Sequence, residues 1–495
     1  MQPPASNTSR ANHGPIFRNA SGELATLSFN EPTGAGNAVF RPSGSNGRTC
    51  ATCYYRRVTA THELPSAVTA APLPVSTRER LRAVFGGSVG NLIEWYDWYT
   101  YSACAIYFAP LFFPNDDPTT QLLNTAAIYA GGFLIRPLGG WVLGRYADRS
   151  GRKAALTLSV MLMCLGSLLI AFAPAYAHVG LAAPLTLIFA RLLQGFSVGG
   201  EYGTSATYMS EVTPAHQRGF YSGVLYVTLV MGQLLSLAVL LILQWVFLTH
   251  AQLEAWGWRI PFVIGALAAL GGLYLRRNLP ETQTFQKLRA SGARSGEVRL
   301  LMQHPREVLI VIGLTAGGTL YFYIFTTYIQ QFLANTVGLS KTDATTVSSA
   351  SLFLFMLMQP LMGALSDRIG RRPMLITFGV LALLTTVPLL STLAEAHSAW
   401  MAFVLVTLAL VISSFYSSIS AVVKAELFPV EIRALGVGLP YAVAVSLFGG
   451  SAPLIGLWFK SIGHESWFYW YVTVCVLGSL LVYIFMREPQ RTSRI

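Results

Sequence analysis

Four ionisable side chains stand in the middle of long apolar tracts: Glu94, Asp97, Arg136 and Arg191. A charge in hydrocarbon costs about 3 kcal/mol or more unless it faces a partner or a wet cavity, so each is a candidate functional group. Two acids and two bases could neutralise one another in a low-dielectric interior. Glu94 and Asp97 are three apart and share a helical face with Gly90 and Tyr101. A carboxyl whose arginine partner is alternately present and withdrawn can load and release a proton. These two acids are therefore candidate proton carriers, against a purely structural role in the charge cluster. Arg191 heads a stripe with Gly195, Gly199 and Gly203, and Arg136 lies on another with Gly132, Gly140 and Gly144. The glycines permit close helix packing, which by itself would account for both stripes. Arg136 either binds a carboxylate, for which its planar fork of donors is suited, or locks a helix seam.

Further along, Tyr321, Tyr323, Thr326, Thr327, Tyr328, Gln330 and Gln331 form a dense band of neutral donors. Tyr321, Tyr323, Thr327, Tyr328 and Gln331 are candidates to hydrogen-bond a carbonyl or carboxylate without the cost of burying charge. Tyrosines near the end of a span also serve as interfacial anchors. Ser413, Ser414, Ser417, Ser418 and Ser420 are expected to allow tight packing. Lys424 is expected to snorkel toward water, with a carboxylate contact as the alternative. Glu201 could belong to a gate.

These side chains need helices that cross a bilayer. Mean hydropathy is +0.50, with 53% hydrophobic and 11% charged residues, whereas a soluble surface needs about a quarter charged residues. Apolar tracts long enough to span recur at 82–110, 121–145, 154–173, 181–209, 219–247, 257–277, 307–334, 344–366, 373–394, 399–425, 434–459 and 466–486. Tracts of this length are helices, because the backbone must be satisfied within each segment. Lys and Arg crowd the connections after even-numbered spans, while the other side holds only Arg259, Lys341 and Lys460. The positive-inside rule then puts both termini in the cytoplasm. The fold expected is an all-α membrane protein of twelve spans in two parallel six-helix repeats. Its parts are a disordered extension at 1–78, a first half at 79–277, a cytoplasmic linker at 278–306, a second half at 307–487 and a tail at 488–495.

The repeat is visible in two motifs. Gly144, Asp148, Arg149, Gly151 and Arg152 follow the second tract in the pattern G-x-x-x-D-R-x-G-R-[KR], and Gly363, Asp367, Arg368, Gly370 and Arg371 repeat it after the eighth. Glu211, Pro214 and Arg218 after the fourth tract recur as Glu426, Pro429 and Arg433 after the tenth. Two copies on one side of the membrane mark parallel repeats. The Asp is expected near a helix N-terminus, with the basic residues pairing across the seam between halves in one conformation and parting in the other. At these residues the chain resembles the major facilitator superfamily over about 81–487. The stretches 90–97, 191–203 and 256–262 look like its metabolite:proton symporter family. Within that family, 203–211, 325–328 and 424–451 are similar to the branch carrying alpha-ketoglutarate.

The resemblance implies proton-coupled import of a dicarboxylate 2-oxo acid by alternating access, in a bacterial inner membrane. Sister members carry betaines, citrate or shikimate. The Arg191 stripe matches a superfamily motif that the resemblance associates with proton coupling. The expected partners are a small anionic metabolite, protons and the lipid bilayer, with the chain acting as a monomer. No enzyme constellation, cofactor motif or basic–aromatic groove for nucleic acid is evident. Cys50 and Cys53 form one C-x-x-C without the second pair that zinc needs, and Cys104, Cys164 and Cys475 sit in apolar tracts. No metal is expected.

Overall fold

The computed structural model describes residues 16–18, 24–26, 77–150, 152–199, 201–277, 301–429 and 432–492. It divides into two compact units, Met1–Leu73 and Pro74–Ile495. In the first, Ile16–Arg18 and Leu24–Thr26 pair antiparallel, with Phe17 opposite Ala25. The rest of 1–76, where disorder is expected, lies outside the described residues, as do Cys50, Cys53 and most of the linker.

The second unit is built of helices at the positions of the apolar tracts. The first span is Thr77–Phe112. The second runs through Pro118–Leu134 and, after Ile135, Arg136–Ser150. Then follow Arg152–Ala171, the pair Ala182–Val198 and Glu201–Val212, Arg218–Ile242, and Ile260–Arg277. The seventh span is Pro305–Tyr323, a π-helical turn at Ile324–Tyr328, and Ile329–Asn335. The eighth and ninth are Lys341–Ile369 and Arg371–Ala394. The tenth breaks between Ala399–Ser417 and Ser420–Leu427. The eleventh comprises Arg433–Ala444, a π-helical turn at Val445–Gly449, and Ala452–Ser461; the twelfth is Glu465–Phe485. Eight of these described segments are by themselves long and apolar enough to cross a membrane, and Thr157–Ala171, Ala182–Val198 and Gly257–Leu273 are shorter apolar helices.

Local chemistry sets the helix starts. Asp117 caps the second span by accepting from Thr119 N at 3.0 Å and Thr120 N at 2.9 Å, with Pro118 at the first helical position. Its carboxyl is held below the usual range, first by the Thr120 hydroxyl and then by these backbone donors. Ser340 and Ser398 cap the eighth and tenth spans. Gly370, at φ +98°, makes the turn between the eighth and ninth.

The polarity of the molecule is inverted. Phe172, Leu361, Leu384, Trp400 and Phe485 face outward, whereas Arg136, Arg191, Arg371 and Lys424 are buried. Apolar exterior and charged interior suit a lipid solvent. The halves meet along two seams: the fifth span packs on the eighth, and the second and fourth on the eleventh. Gly219 lies against Gly363 and Gly203 against Gly438, and a Cβ at any of the first three would collide with the facing backbone.

Candidate functional site

The two glycine stripes interlock, and this brings the two mid-membrane arginines together. A Cβ on Gly195 would strike the carbonyl of Gly132, and one on Gly199 the carbonyl of Arg136. The second and fourth spans therefore touch backbone to backbone. Their arginines, one from each stripe, reach the same aromatic ring. Arg136 Cζ lies 4.0 Å and Arg191 Cζ 3.9 Å from the ring centre of Trp98. Arg136 also lies 4.0 Å from the Phe133 ring, and Arg191 4.5 Å from that of Tyr101. Aromatic faces attract cations, and a dry setting strengthens the attraction.

Arg136 and Arg191 are 4% and 1% exposed. The Nε and Nη2 atoms of both have no hydrogen-bond partner. Buried donors are normally satisfied, and an unmade charged bond costs about 1–3 kcal/mol or more. Four guanidinium nitrogens are therefore left with unused donor capacity at the centre of the bundle.

Asp97 is placed differently from the expected direct neutralisation. Asp97, 1% exposed, accepts from Gln194 Nε2 at 2.6 Å and from the Ser167 hydroxyl. Gln194 Oε1 in turn accepts from Arg191 Nη1 at 2.7 Å. Asp97 and Arg191 are thus linked through an amide, and among the described residues no ion pair joins Asp97 to either arginine. The reason is helical geometry. Gln194 lies one turn beyond Arg191 and stands between its guanidinium and the Asp97 carboxylate. Glu94 is buried at 4% exposure on the same helix.

In the second half, the band divides by face. Tyr323, 1% exposed, meets Phe133 across the seam with ring centres 5.4 Å apart, and its hydroxyl has no partner. Gly449 and Gly450 leave room for those two rings. Thr327 O accepts from Ser102 Oγ at 3.4 Å, and Gln331 Nε2 donates to Ser102 O at 3.3 Å, so both also face the first half. Tyr321 packs against Phe325 and Phe378, and Tyr328 against Phe332 and Phe468, all within the second half. All three tyrosines are at most 1% exposed, which overturns the interfacial-anchor reading.

Lys424 corrects another expectation. It does not snorkel: it is 0% exposed, donates to Ser420 Oγ at 2.6 Å, and lies 4.2 Å from the Tyr441 ring. Its helix, Ser420–Leu427, follows the break at Ser418–Ile419 and is buried almost throughout. Beside it, Tyr202 and Tyr441 stack across the seam at 3.8 Å. The serines of this span pack, as expected: Ser417 donates to Gln359, and Ser418 to its own helix.

The loop motif makes its cross-seam contact through Asp367, not through its basic residues. Asp367 sits near the C-terminus of its own helix and accepts from Gly219 N at 2.8 Å and Phe220 N at 2.9 Å, capping the fifth span. Arg371 finds its ion-pair partners within the second half, 2.8 Å from Asp367 and 3.7 Å from Glu426, while its Nη1 lies beside Gly219 of the fifth span. An arginine would find few acceptors at the facing helix N-terminus, whereas a carboxylate finds free N–H groups. In this copy Gly363 allows the close approach, Gly370 the turn, and Arg368 ends the helix. In the first copy, Gly144, Asp148 and Arg149 lie on the helix Arg136–Ser150 and Arg152 opens the next; their side chains and Gly151 lie outside the described residues. The same holds for the side chains of Glu201 and Glu211. The second repeated motif behaves alike in both copies: Arg218 Nε donates to Ser210 O and Arg433 Nε to Ala425 O, each at 3.2 Å.

At the opposite end of the bundle, Lys341 Nζ meets Glu254 Oε1 at 2.6 Å and Asn335 reaches Thr119 at 3.4 Å, both across the seam. Contacts at both ends enclose the centre, so this is an occluded arrangement. Sequence reasoning missed Trp98, Phe133, Gln194 and Ser167. Gln194 could have been found as a polar residue one turn from Arg191 in an apolar tract; the aromatic residues carried no such signal.

Comparison with known proteins agrees with this architecture. Residues 83–299 match the family model described as Sugar (and other) transporter, and 310–495 that of the Major Facilitator Superfamily. The alpha-ketoglutarate permease of Escherichia coli (strain K12) is 52% identical over 421 residues, spanning 85% of this chain and 96% of the relative. A citrate-proton symporter of Klebsiella pneumoniae is 34% identical, spanning 76% and 84%. A glycine betaine/proline/ectoine/pipecolic acid transporter of Dickeya dadantii is 30% identical, spanning 83% and 84%. Among solved structures, a D-xylose-proton symporter superposes with a TM-score of 0.66 at 19% identity, over 83% of this chain and 98% of its own. The chain belongs to the major facilitator superfamily of membrane transporters, in the same family as the alpha-ketoglutarate permease of Escherichia coli.

Proposed function

We propose that the protein is a proton-coupled symporter that imports a dicarboxylate 2-oxo acid, alpha-ketoglutarate foremost, by alternating access. The observation that carries this reading is the pair of buried guanidiniums, Arg136 and Arg191, with four nitrogens unpartnered at the centre of the bundle. Two cations suit two carboxylates. They do not suit a betaine, whose quaternary nitrogen would meet like charge. A citrate carrier is the second reading, favoured by the citrate-proton symporter among the relatives. Tyr323, Thr327 and Gln331 face the first half and offer neutral donors to the 2-oxo group of the substrate.

The proton is assigned to Asp97, with Glu94 as the second carboxyl. When substrate draws Arg191 away from Gln194, the amide is freed and its hold on Asp97 changes, which links the anion site to the proton site. The motif-bearing end, with both termini, is assigned to the cytoplasm of a bacterial inner membrane, and the functional unit is one chain acting without nucleic acid. The test is uptake of labelled alpha-ketoglutarate, citrate and glycine betaine into proteoliposomes with an imposed pH gradient, acid outside. Accumulation of alpha-ketoglutarate that collapses with a protonophore is expected; preferential uptake of betaine, or accumulation indifferent to the gradient, would refute the reading.

A further inference from the structure

The two guanidiniums do not simply lie near one another; a single side chain stands against both. Trp98 contributes no hydrogen bond to the Asp97–Gln194–Arg191 chain, yet Arg136 and Arg191 each rest within 4.0 Å of its ring centre. The indole is 1% exposed and held on several sides. Phe133 meets it edge-on at 4.6 Å, and Tyr129 lies 5.7 Å away. Beneath it is Gly132, where a Cβ would come within 3.1 Å of both Trp98 Cη2 and the Arg191 carbonyl oxygen. Gly132 is also in the stripe that seats the fourth span, so ring and arginines share one rigid backbone contact.

From this geometry we propose that Trp98 is a positioning residue that sets the spacing of the two cations, and with it the chain length of the dicarboxylate the site accepts. The inference rests on the functional reading above. Two like charges in a dry interior repel and would splay apart; a fixed aromatic face attracts both and holds them at one separation. A diacid of matching length satisfies both forks at once. A shorter diacid satisfies one and leaves the other buried and unpaired. Trimming the ring lets a shorter dianion draw the guanidiniums together, so discrimination by length weakens while affinity for the matched acid changes less.

The experiment measures competition by succinate, glutarate and adipate, of four, five and six carbons, against uptake of labelled alpha-ketoglutarate in proteoliposomes. In wild type, glutarate is expected to compete best. In Trp98→Phe the ratio of half-inhibitory concentrations, succinate over glutarate, is expected to fall about tenfold, within the range a single methylene commands. An unchanged ratio, with all substrates weakened in parallel, would mean that Trp98 is only structural and would overturn the proposal. If Trp98→Phe gives no transport, the same three acids are compared by thermal shift on the purified Trp98→Phe and Gly132→Ala proteins. Gly132→Ala keeps the indole but presses on its edge and on the Arg191 backbone, so a changed ratio there is expected, and an unchanged ratio in Trp98→Phe is a refutation whatever Gly132→Ala shows. Failure of wild type to take up alpha-ketoglutarate at all would instead sink the functional reading, so the two failures are distinct.

Discussion

Arg136 and Arg191 look equivalent in the sequence, but their surroundings separate their tasks. Both offer unpartnered Nε and Nη2 atoms, and only Arg191 is wired to Asp97 through Gln194. Arg136 rests on Trp98 and Phe133. Loss of Arg136 should therefore weaken substrate binding, whereas loss of Arg191 should damage binding and proton coupling together. Leaving a desolvated carboxylate without its arginine costs about 2–5 kcal/mol. Arg136→Ala is expected to raise KM by at least thirtyfold, roughly the lower end of that range at 1.4 kcal/mol per decade, while both variants insert normally. Asp97→Asn, which keeps an acceptor for Gln194, is expected to retain exchange of internal for external substrate and to lose accumulation driven by a pH gradient. Counterflow and gradient-driven uptake, measured side by side, check this; undiminished accumulation would remove Asp97 from the proton path.

At the level of helices, close approach is what the glycines supply, and its effect can be isolated by comparing a glycine at the contact with one that meets nothing. Gly131 and Gly132 are neighbours, but a Cβ on Gly131 meets nothing within 4 Å, while Gly195 facing Gly132 has no space at all. Gly195→Ala should force the second and fourth spans apart, at a cost of about 1–3 kcal/mol for overpacking, and separate the arginines from Trp98. Gly131→Ala should leave transport intact and, by helix propensity, lose no stability. Thermal unfolding in detergent and uptake of the two variants decide the matter. The helices themselves were legible in the sequence because bilayer thickness dictates tract length, and Arg136, Arg191 and Asp97 because charge in an apolar tract is conspicuous. What spacing does not encode is which residue of one helix faces which of another. Hence Gln194 between Arg191 and Asp97 was not foreseen, nor Trp98 against both arginines. Nor does a run of serines announce the helix break at Ser418–Ile419 that precedes the buried Lys424.

For the molecule as a whole, the balance between its two ends governs which way the occluded centre opens, and the two closures are of unequal strength. Lys341 and Glu254 are 29% and 45% exposed, and ion pairs of that kind contribute about 0–1 kcal/mol and are screened by salt. Asp367 is 8% exposed, holds two backbone N–H groups of the opposite half, and is itself held by Arg371. Hydrogen bonds to a charged group contribute about 1.5–3 kcal/mol. The end bearing the motif is therefore the tighter of the two, and the resting population should favour opening at the other end. Glu254→Gln should shift that population by less than about fivefold, the limit set by 1 kcal/mol. Asp367→Asn, which loses the charge but keeps the shape, should shift it toward opening at the motif end by about tenfold or more. Labelling of single cysteines placed beside Tyr202 and beside Thr119, in each background, reads both gates. Equal effects of the two substitutions would mean that the halves are held by their packed seams and not by these charged contacts.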